Sequence, residues 1–236
     1  VASHSAEDTR CFEMRVYYAA PGKLDALHKR FRDHTYKLFE KQGITNVGYF
    51  VPVGENPERK LVYFLAYPSL AARNASWKAF MADPDWQKAY KASEADGKLV
   101  TKIETVYLSA TDYSPAIRAD QAGSRVFELR TYTTEPGRLP NLNARFRDHT
   151  VKLFSKHGMT NVAYWNPMAD QKGAVRPPDA KNTLIYLLAH KSQDAAKASF
   201  DGFRKDPDWV SARKASEEKA GGSLTVAKDG VKSLFL

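Results

Sequence analysis

Apolar and polar residues alternate in several short stretches of the chain, and between these stretches the apolar spacing changes to three or four residues. The first stretch, 11–20, sets Phe12 and Met14 against Glu13 and Arg15, which is the period of a strand. Applied along 11–108, the same criteria predict the order strand, helix, strand, strand, helix, strand. That order is typical of a ferredoxin-like βαββαβ unit, an antiparallel sheet with both helices on one face.

The whole pattern occurs twice. Residues 126–167 align with residues 11–52 without a gap, and more than half of the aligned positions are identical. We therefore predict a tandem duplication with four parts: a flexible tail at 1–10, a first repeat at 11–108, a linker at 109–124 and a second repeat at 125–236.

The third strand of each repeat is a continuous apolar run, such as LVYFLAY at 61–67. A run of this kind is typical of a strand that is buried on both faces. Helices cover only one face of a ferredoxin-like sheet, so the other face needs a second cover. We expect the two sheets of the chain to cover each other, as an intrachain pseudo-dimeric barrel.

One helix is written in both repeats and contains Phe-Arg-Asp-His-Thr, at 31–35 and at 146–150. The spacing of its apolar residues is that of a buried helix face: Leu24, Leu27, Phe31 and Leu38. His34 falls in the same row, and His149 holds the same position in the second copy. Each is a candidate catalytic base or haem ligand. The alternative is a core-edge histidine that is hydrogen-bonded to a strand carbonyl or a tyrosine.

Polar residues share one face of the first strand of each repeat. In the first copy they are Glu13, Arg15 and Tyr17, and in the second Glu128, Arg130 and Tyr132. Buried charges need partners, so Glu–Arg pairing along the strand is one interpretation. The other is a binding site in which arginine holds an anionic group and tyrosine donates a proton.

Aromatic residues of the second strands either stack on an aromatic ligand or pack in the core: Tyr49, Tyr164 and Trp165. Three further histidines differ between the copies, because His28 aligns with Asn143, His157 with Gln42 and His190 with Tyr67. We infer that these three histidines have no role common to both repeats.

Composition narrows the function classes. The net charge is +9, but the basic residues are scattered among acidic ones and form no block interleaved with aromatics, so we expect no nucleic-acid partner. No apolar run is long enough to predict a transmembrane segment, and the single cysteine excludes an intrachain disulfide. The polar start of the chain suits either an exported protein after signal removal or an ordinary tail, so the compartment stays open.

The motifs resemble a known family. FELRTYTTEPGRL at 127–139, followed by FRDHTVKLFSKHGMTNVAYWNP at 146–167, is similar to the NIPSNAP family, and CFEMRVYYAAPGKL at 11–24 matches equally well. The resemblance implies the dimeric α/β-barrel fold, with a cavity between each sheet and its helices where relatives hold ligands. The family is implicated in membrane traffic and mitochondrial biology in animals. Its wider superfamily includes cofactor-free monooxygenases, haem-handling enzymes and decarboxylases.

We therefore expect an α+β protein that binds a small aromatic or anionic molecule in such a cavity, with no cofactor and no metal. The alternatives are a non-catalytic scaffold and a cofactor-independent monooxygenase-like enzyme. Haem binding through one histidine is the least supported, because no Cys-His motif is present. Whether the chain is an enzyme, and whether it assembles further into homo-oligomers, the sequence leaves open.

Overall fold

A computed structural model describes residues 8–118 and 125–236 of the chain. They divide into two compact units: Thr9–Ser109 with Asp170–Pro177 form the first, and Ala110–Ala169 with Pro178–Leu236 belong to the second. Residues 1–7 of the predicted tail and 119–124 of the predicted linker lie outside the described residues. The packing of one sheet against the other stays a prediction.

Each unit has the predicted order of elements. The first contains β1 (Cys11–Ala19), α1 (Leu24–Arg30), α2 (Tyr36–Lys41), β2 (Thr45–Phe50), β3 (Lys60–Tyr67), α3 (Leu70–Ala82), α4 (Pro84–Ser93) and β4 (Val100–Ala110). The second contains β5 (Val126–Thr133), α5 (Leu139–Arg145), α6 (Val151–Lys156), β6 (Thr160–Pro167), β7 (Thr183–His190), α7 (Gln193–Lys205), α8 (Pro207–Ala220) and β8 (Val231–Phe235).

The strands pair antiparallel in the order β2-β3-β1-β4 in the first unit and β6-β7-β5-β8 in the second. The prediction of a duplicated ferredoxin-like α+β fold is therefore confirmed. Almost every residue of β3 and every residue of β7 is buried, as their continuous apolar runs predict. β2 and β6 run beside these strands, next to the helices that follow β1 and β5, and this neighbourhood holds the candidate site.

The repeated helix is not a regular α-helix. A π-helical turn, Phe31–Thr35, joins α1 to α2, and the backbone N–H of Tyr36 donates to the carbonyl of Phe31, five residues back. The hydroxyl of Thr35 donates to the carbonyl of Arg30 at 3.3 Å. A single π turn inside an α-helix accommodates one extra residue and rotates the part of the helix beyond it.

This rotation overturns the predicted placement of the two histidines. Thr35 is buried and His34 is exposed, because the wide turn moves the buried row by one position. The second π turn, Phe146–Thr150, has the same effect: Thr150 is buried and His149 is exposed. The prediction that these histidines lie on the buried face of the helix is wrong in both repeats.

Buried charges under α3 form one connected network in the first unit. Arg15 donates from Nη1 to Glu13 Oε1 at 2.6 Å, from Nε to the Tyr63 hydroxyl at 2.8 Å and from Nη2 to the Tyr17 hydroxyl at 3.1 Å. Arg73 of α3 donates to both oxygens of Glu13, at 2.9 and 3.0 Å. Burial favours a raised pKa for Glu13, but the two guanidinium groups outweigh it and hold that pKa below its ordinary value.

The second unit repeats this arrangement with different partners. Arg130 donates to Glu128 at 2.5 Å and to the hydroxyls of Tyr186 and Tyr132 at 2.8 and 3.3 Å. In place of a second arginine, His190 Nε2 lies 2.9 Å and the Ser233 hydroxyl 2.6 Å from the carboxylate oxygens of Glu128. The Glu–Arg pairing predicted along the first strand of each repeat is thus confirmed.

Replacing Glu13 by glutamine should destabilise the protein by about 3 kcal/mol, because it leaves two buried guanidinium groups without their carboxylate. Urea unfolding followed by circular dichroism measures this loss. The ionised carboxylate stabilises the fold above its unfolded pKa of about 4.3, so the difference should shrink as the pH falls through the lower folded pKa. Glu58→Gln, at an ion pair with Lys60 on the surface, is the matched control and should change little. Equal effects of the two substitutions at pH 7 would contradict this role of Glu13.

Candidate functional site

A pocket of about 440 Å³ opens in the first unit between the bent helix and the β2–β3 edge of the sheet. Its walls are mainly aromatic and aliphatic, with an imidazole and a guanidinium on the helix side. The lining residues are His28, Phe31, Arg32, Tyr36, Tyr49, Phe50, Val51 and Leu61.

The aromatic wall rests on a packed cluster of rings. Phe31 opens the first π turn, and its ring meets Tyr49 and Tyr63 edge-on, at centroid distances of 5.5 and 5.1 Å. Tyr49 stacks on Tyr63, with the centroids 5.3 Å apart and the planes 12° from parallel. The Tyr49 hydroxyl donates to the side chain of Asn46. The wall is therefore fixed by contacts on both the helix and the strands.

A glycine sets the orientation of Phe50. A Cβ atom at Gly48 would lie only 2.8 Å from the Phe50 ring, so the ring occupies space that any other residue at that position would need. The aligned position in the second repeat is Ala163, where the strand carries Trp165 instead of Phe50. Gly48 thus allows the phenylalanine ring to lie along the strand in the pocket wall.

His28 lines the pocket, and one nitrogen of its imidazole has no hydrogen-bond partner within residues 8–118 and 125–236. It is half-buried, and its Nε2 is fully buried without a hydrogen-bond partner among the described residues. Burial lowers the pKa of the imidazole, and the nearby positive charge of Arg32 lowers it further, against a smaller opposite effect of Asp25. His28 is therefore neutral at pH 7, and a neutral imidazole has one nitrogen that accepts a hydrogen bond.

Arg32 supplies positive charge at the mouth of the pocket. Its side chain is exposed, and it has no ion-pair partner in the part of the chain that the structure describes. A guanidinium in this position is free to meet a carboxylate or phosphate. The site thus combines an aromatic wall, one hydrogen-bond acceptor and one cation.

The structure separates the residues that the sequence singles out as ligand-binding. Tyr49 lines the pocket. Arg15 and Tyr17 belong to the buried network beneath it, where the arginine already donates to three partners. Arg130 and Tyr132 hold the same places in the second unit.

The other two predicted ligand-binding residues lie in β6 and are buried. Tyr164 is fully buried, and its hydroxyl donates to the side chain of Asn161. Trp165 is 1% exposed. Neither lines the pocket of the first unit, and a ligand-binding role for them stays a prediction.

The two candidate catalytic histidines lie elsewhere. His34 is not among the residues that line the first pocket. His149 lines a separate groove of about 490 Å³ in the second unit, beside Asp148, Lys152 and Asp208. This groove is rich in charged and small side chains rather than aromatic ones. A catalytic role for either histidine stays a prediction.

Sequence reasoning misses most of the pocket. The alignment assigns His28 no shared role, because Asn143 stands at the aligned position. Arg32 belongs to the repeated Phe-Arg-Asp-His-Thr motif, in which only the histidine is predicted to have a function. Phe31 is predicted only as a packing residue. The useful signal is the difference between the repeats at position 28, where a histidine aligns with an asparagine.

Two other classes of site receive no support from the described residues. Within residues 8–118 and 125–236, no group of three or more His, Cys, Asp or Glu side chains is arranged to hold a metal ion. In the same residues, no helix is long and apolar enough to cross a membrane.

Comparison with known proteins gives both full-length and half-length likenesses. An anthrone oxidase-like protein is 14% identical, with 98% of this chain and 92% of that one covered and a TM-score of 0.60, which shows a shared fold alone. A NIPSNAP family protein of unknown function from Agrobacterium tumefaciens is 25% identical and covers 48% of this chain and 96% of its own, with a TM-score of 0.41.

An uncharacterized NIPSNAP-like domain protein from Burkholderia xenovorans is 19% identical and covers 46% of this chain and 90% of its own, with a TM-score of 0.41. No curated protein matches the chain. The NIPSNAP family model matches residues 12–115 and again residues 127–223, one match in each repeat. Since these matches include most of the chain, the protein belongs to the NIPSNAP family, as a tandem pair of its domains.

Proposed function

We propose that the chain binds a small aromatic molecule in the pocket of the first unit. The observation that carries the proposal is the combination of an open, largely apolar cavity with a buried imidazole nitrogen that has no partner among the described residues. A volume of about 440 Å³ falls within the range of small-molecule sites, which are typically apolar with a few placed polar groups. The lining of the pocket suits an aromatic ring that carries a polar group.

The energetics agree with a ligand of modest affinity. Burying one aromatic ring removes roughly 150 Å² of surface from water, which at about 25 cal/mol/Å² supplies about 4 kcal/mol before the cost of association. A hydrogen bond to His28 adds about 1 kcal/mol. The two terms together supply about 5 kcal/mol, which would correspond to a dissociation constant of about 0.2 mM with no cost of association, so a one-ring phenol should bind in the millimolar range or more weakly.

The two alternative functions make different demands on this pocket. A scaffold needs no ligand there, and a monooxygenase-like enzyme must consume oxygen when its ligand is bound. The likeness to an anthrone oxidase-like protein concerns the fold alone, and no contact in the pocket points to oxygen chemistry. Binding is therefore the function that the geometry supports best.

The binding of p-cresol and toluene, measured by ligand-observed NMR, tests the proposal. Both rings should bind, and in His28→Leu the affinity of p-cresol relative to toluene should fall about fivefold, because the hydroxyl loses its acceptor. His34→Leu, a histidine on the same helix but outside the pocket, should leave the ratio unchanged. If neither compound binds at about 10 mM, or if only the His34 substitution changes the ratio, the proposal fails.

The affinity for p-cresol should also depend on pH. The ligand needs the neutral imidazole and closes the pocket over it, so binding opposes protonation of His28. Affinity should be full at pH 7 and fall as the pH drops through the imidazole pKa, which lies below 6.5. Calorimetric titrations between pH 7 and pH 5 measure the effect, and His28→Leu should show a flat profile. A flat profile for the unaltered protein would contradict the role of His28.

A further inference from the structure

The counterpart of this pocket in the second unit is filled by the chain itself. Tyr113, which follows β4, lays its ring against Phe146 at a centroid distance of 6.3 Å and an interplanar angle of 27°. The same ring meets Tyr164 at 5.5 Å. Its hydroxyl donates to the Oδ1 atom of Asn143 at 2.8 Å. A phenol therefore occupies this site, with its hydroxyl on the residue aligned with His28.

A carboxylate accompanies the phenol. Asp112 accepts two hydrogen bonds from Arg147, from Nε at 2.6 Å and from Nη2 at 2.7 Å. The guanidinium carbon of Arg147 lies 5.6 Å from the centre of the Tyr113 ring. One arginine thus holds the carboxylate and lies close to the phenol ring.

Backbone contacts keep this segment in place. The N–H of Thr111 donates to the carbonyl of Tyr164 at 2.9 Å, and the N–H of Tyr164 donates to the Ser114 hydroxyl at 3.0 Å. These contacts position the segment along β6. Two side-chain groups of this segment contact the residues of the filled site, the phenol of Tyr113 and the carboxylate of Asp112.

The residues that receive these two groups have aligned counterparts around the open pocket. Asn143, Phe146, Arg147 and Tyr164 align with His28, Phe31, Arg32 and Tyr49, all of which line the pocket of the first unit. The solvent exposure of the two aligned tyrosines differs accordingly. Tyr164 is 0% exposed under its occupant, whereas Tyr49 is half-buried.

From this internal comparison we infer that the pocket of the first unit binds a phenol that carries a carboxylate on a short chain. The hydroxyl donates to the imidazole of His28, as the Tyr113 hydroxyl does to Asn143, and the carboxylate pairs with Arg32, as Asp112 does with Arg147. The inference rests on the proposed function, which requires only that an aromatic ring bind there. It adds the two polar groups that define the ligand class.

The matching chemistry of position 28 supports a hydroxyl donor. The side-chain oxygen of Asn143 accepts a hydrogen bond, and a neutral His28 likewise has one nitrogen that accepts. Toward this ring, the two side chains differ in shape but not in hydrogen-bonding role. Arginine stands at the carboxylate position in both units, paired in the second and unpaired among the described residues of the first.

N-succinyltyramine is the probe that reproduces these groups. It joins a phenol to a carboxylate by the same chain of atoms that links the Tyr113 ring to the Asp112 carboxylate, and it lacks the rest of the peptide. N-succinylphenethylamine removes only the hydroxyl, and N-butyryltyramine replaces the carboxylate by a methyl group. Isothermal titration calorimetry of the full chain with the three compounds separates the two polar contributions.

We expect N-succinyltyramine to bind about fivefold more tightly than the analogue without the hydroxyl. It should bind about threefold more tightly than the analogue without the carboxylate, a preference that weakens at high salt because Arg32 is exposed. His28→Leu should abolish the first preference, and His28→Asn, which installs the residue of the second repeat, should retain it. Arg32→Leu should abolish the second preference only.

The possible results separate the two proposals. If all three compounds bind with equal affinity, the ligand class is wrong although the aromatic site stands. If none binds, the proposed function fails as well. A fourth ligand, the acetylated and amidated tetrapeptide Thr-Asp-Tyr-Ser, tests a polypeptide occupant. If it binds more than about tenfold more tightly than N-succinyltyramine, backbone contacts dominate and the small-molecule inference is overturned.

Discussion

The guanidinium of Arg15 joins the charged and the aromatic parts of the core in the first unit. It donates to Glu13 on one side and to the Tyr63 hydroxyl on another, and Tyr63 is the ring on which Tyr49 stacks. Tyr49 in turn forms the wall of the pocket. The orientation of the wall therefore depends on a buried ion pair that has no contact with the pocket itself. Such a charge must stay fully paired, because a buried guanidinium without partners costs several kcal/mol.

The two repeats have nearly the same cluster of aromatic rings, but the cluster is covered in one repeat and accessible in the other. In the second unit a tyrosine from the adjoining segment covers the wall, and in the first unit the wall remains accessible. The difference does not come from the ring cluster, since Phe146, Tyr164 and Tyr186 contact one another much as Phe31, Tyr49 and Tyr63 do. It comes from the chain segment laid on the cluster. The second unit thus shows how a side chain covers this ring cluster, which in the first unit remains open.

Much of the fold could be predicted from periodicity. The alternation in β1 predicts a strand, the continuous apolar runs in β3 and β7 also predict its burial, and duplication doubles each signal. The face of the repeated helix could not be predicted in the same way. Apolar spacing of three or four residues does not distinguish an α-helix from one with a single π turn, and that one residue decides whether His34 or Thr35 is buried. Regular apolar spacing therefore predicts the helix but not the π turn within it.

The site was harder to predict for a second physical reason. Tyr113 lies in a segment rich in small and polar residues, whose composition resembles a linker and carries no periodicity. Only the folded chain shows that its ring meets Phe146. His28 presents the opposite problem, because it differs from its aligned residue and a shared function is what repeats suggest. Comparing repeats identifies what they have in common, whereas the proposed site includes a position at which they differ.

An open pocket also has a thermodynamic consequence for the first unit. Its aromatic wall remains partly exposed to water, and Nε2 of His28 has no hydrogen-bond partner among the described residues. A buried polar atom without a partner costs about 1–3 kcal/mol. In the second unit Tyr113 satisfies the aligned residue within the same chain, so no free ligand is needed. Any ligand that binds the first pocket stabilises the folded state in proportion to its occupancy, by about 2.7 kcal/mol at a hundredfold excess over its dissociation constant. Under the proposed function, the stability of the first unit is therefore coupled to the concentration of its ligand, while the filled counterpart in the second unit has no such dependence.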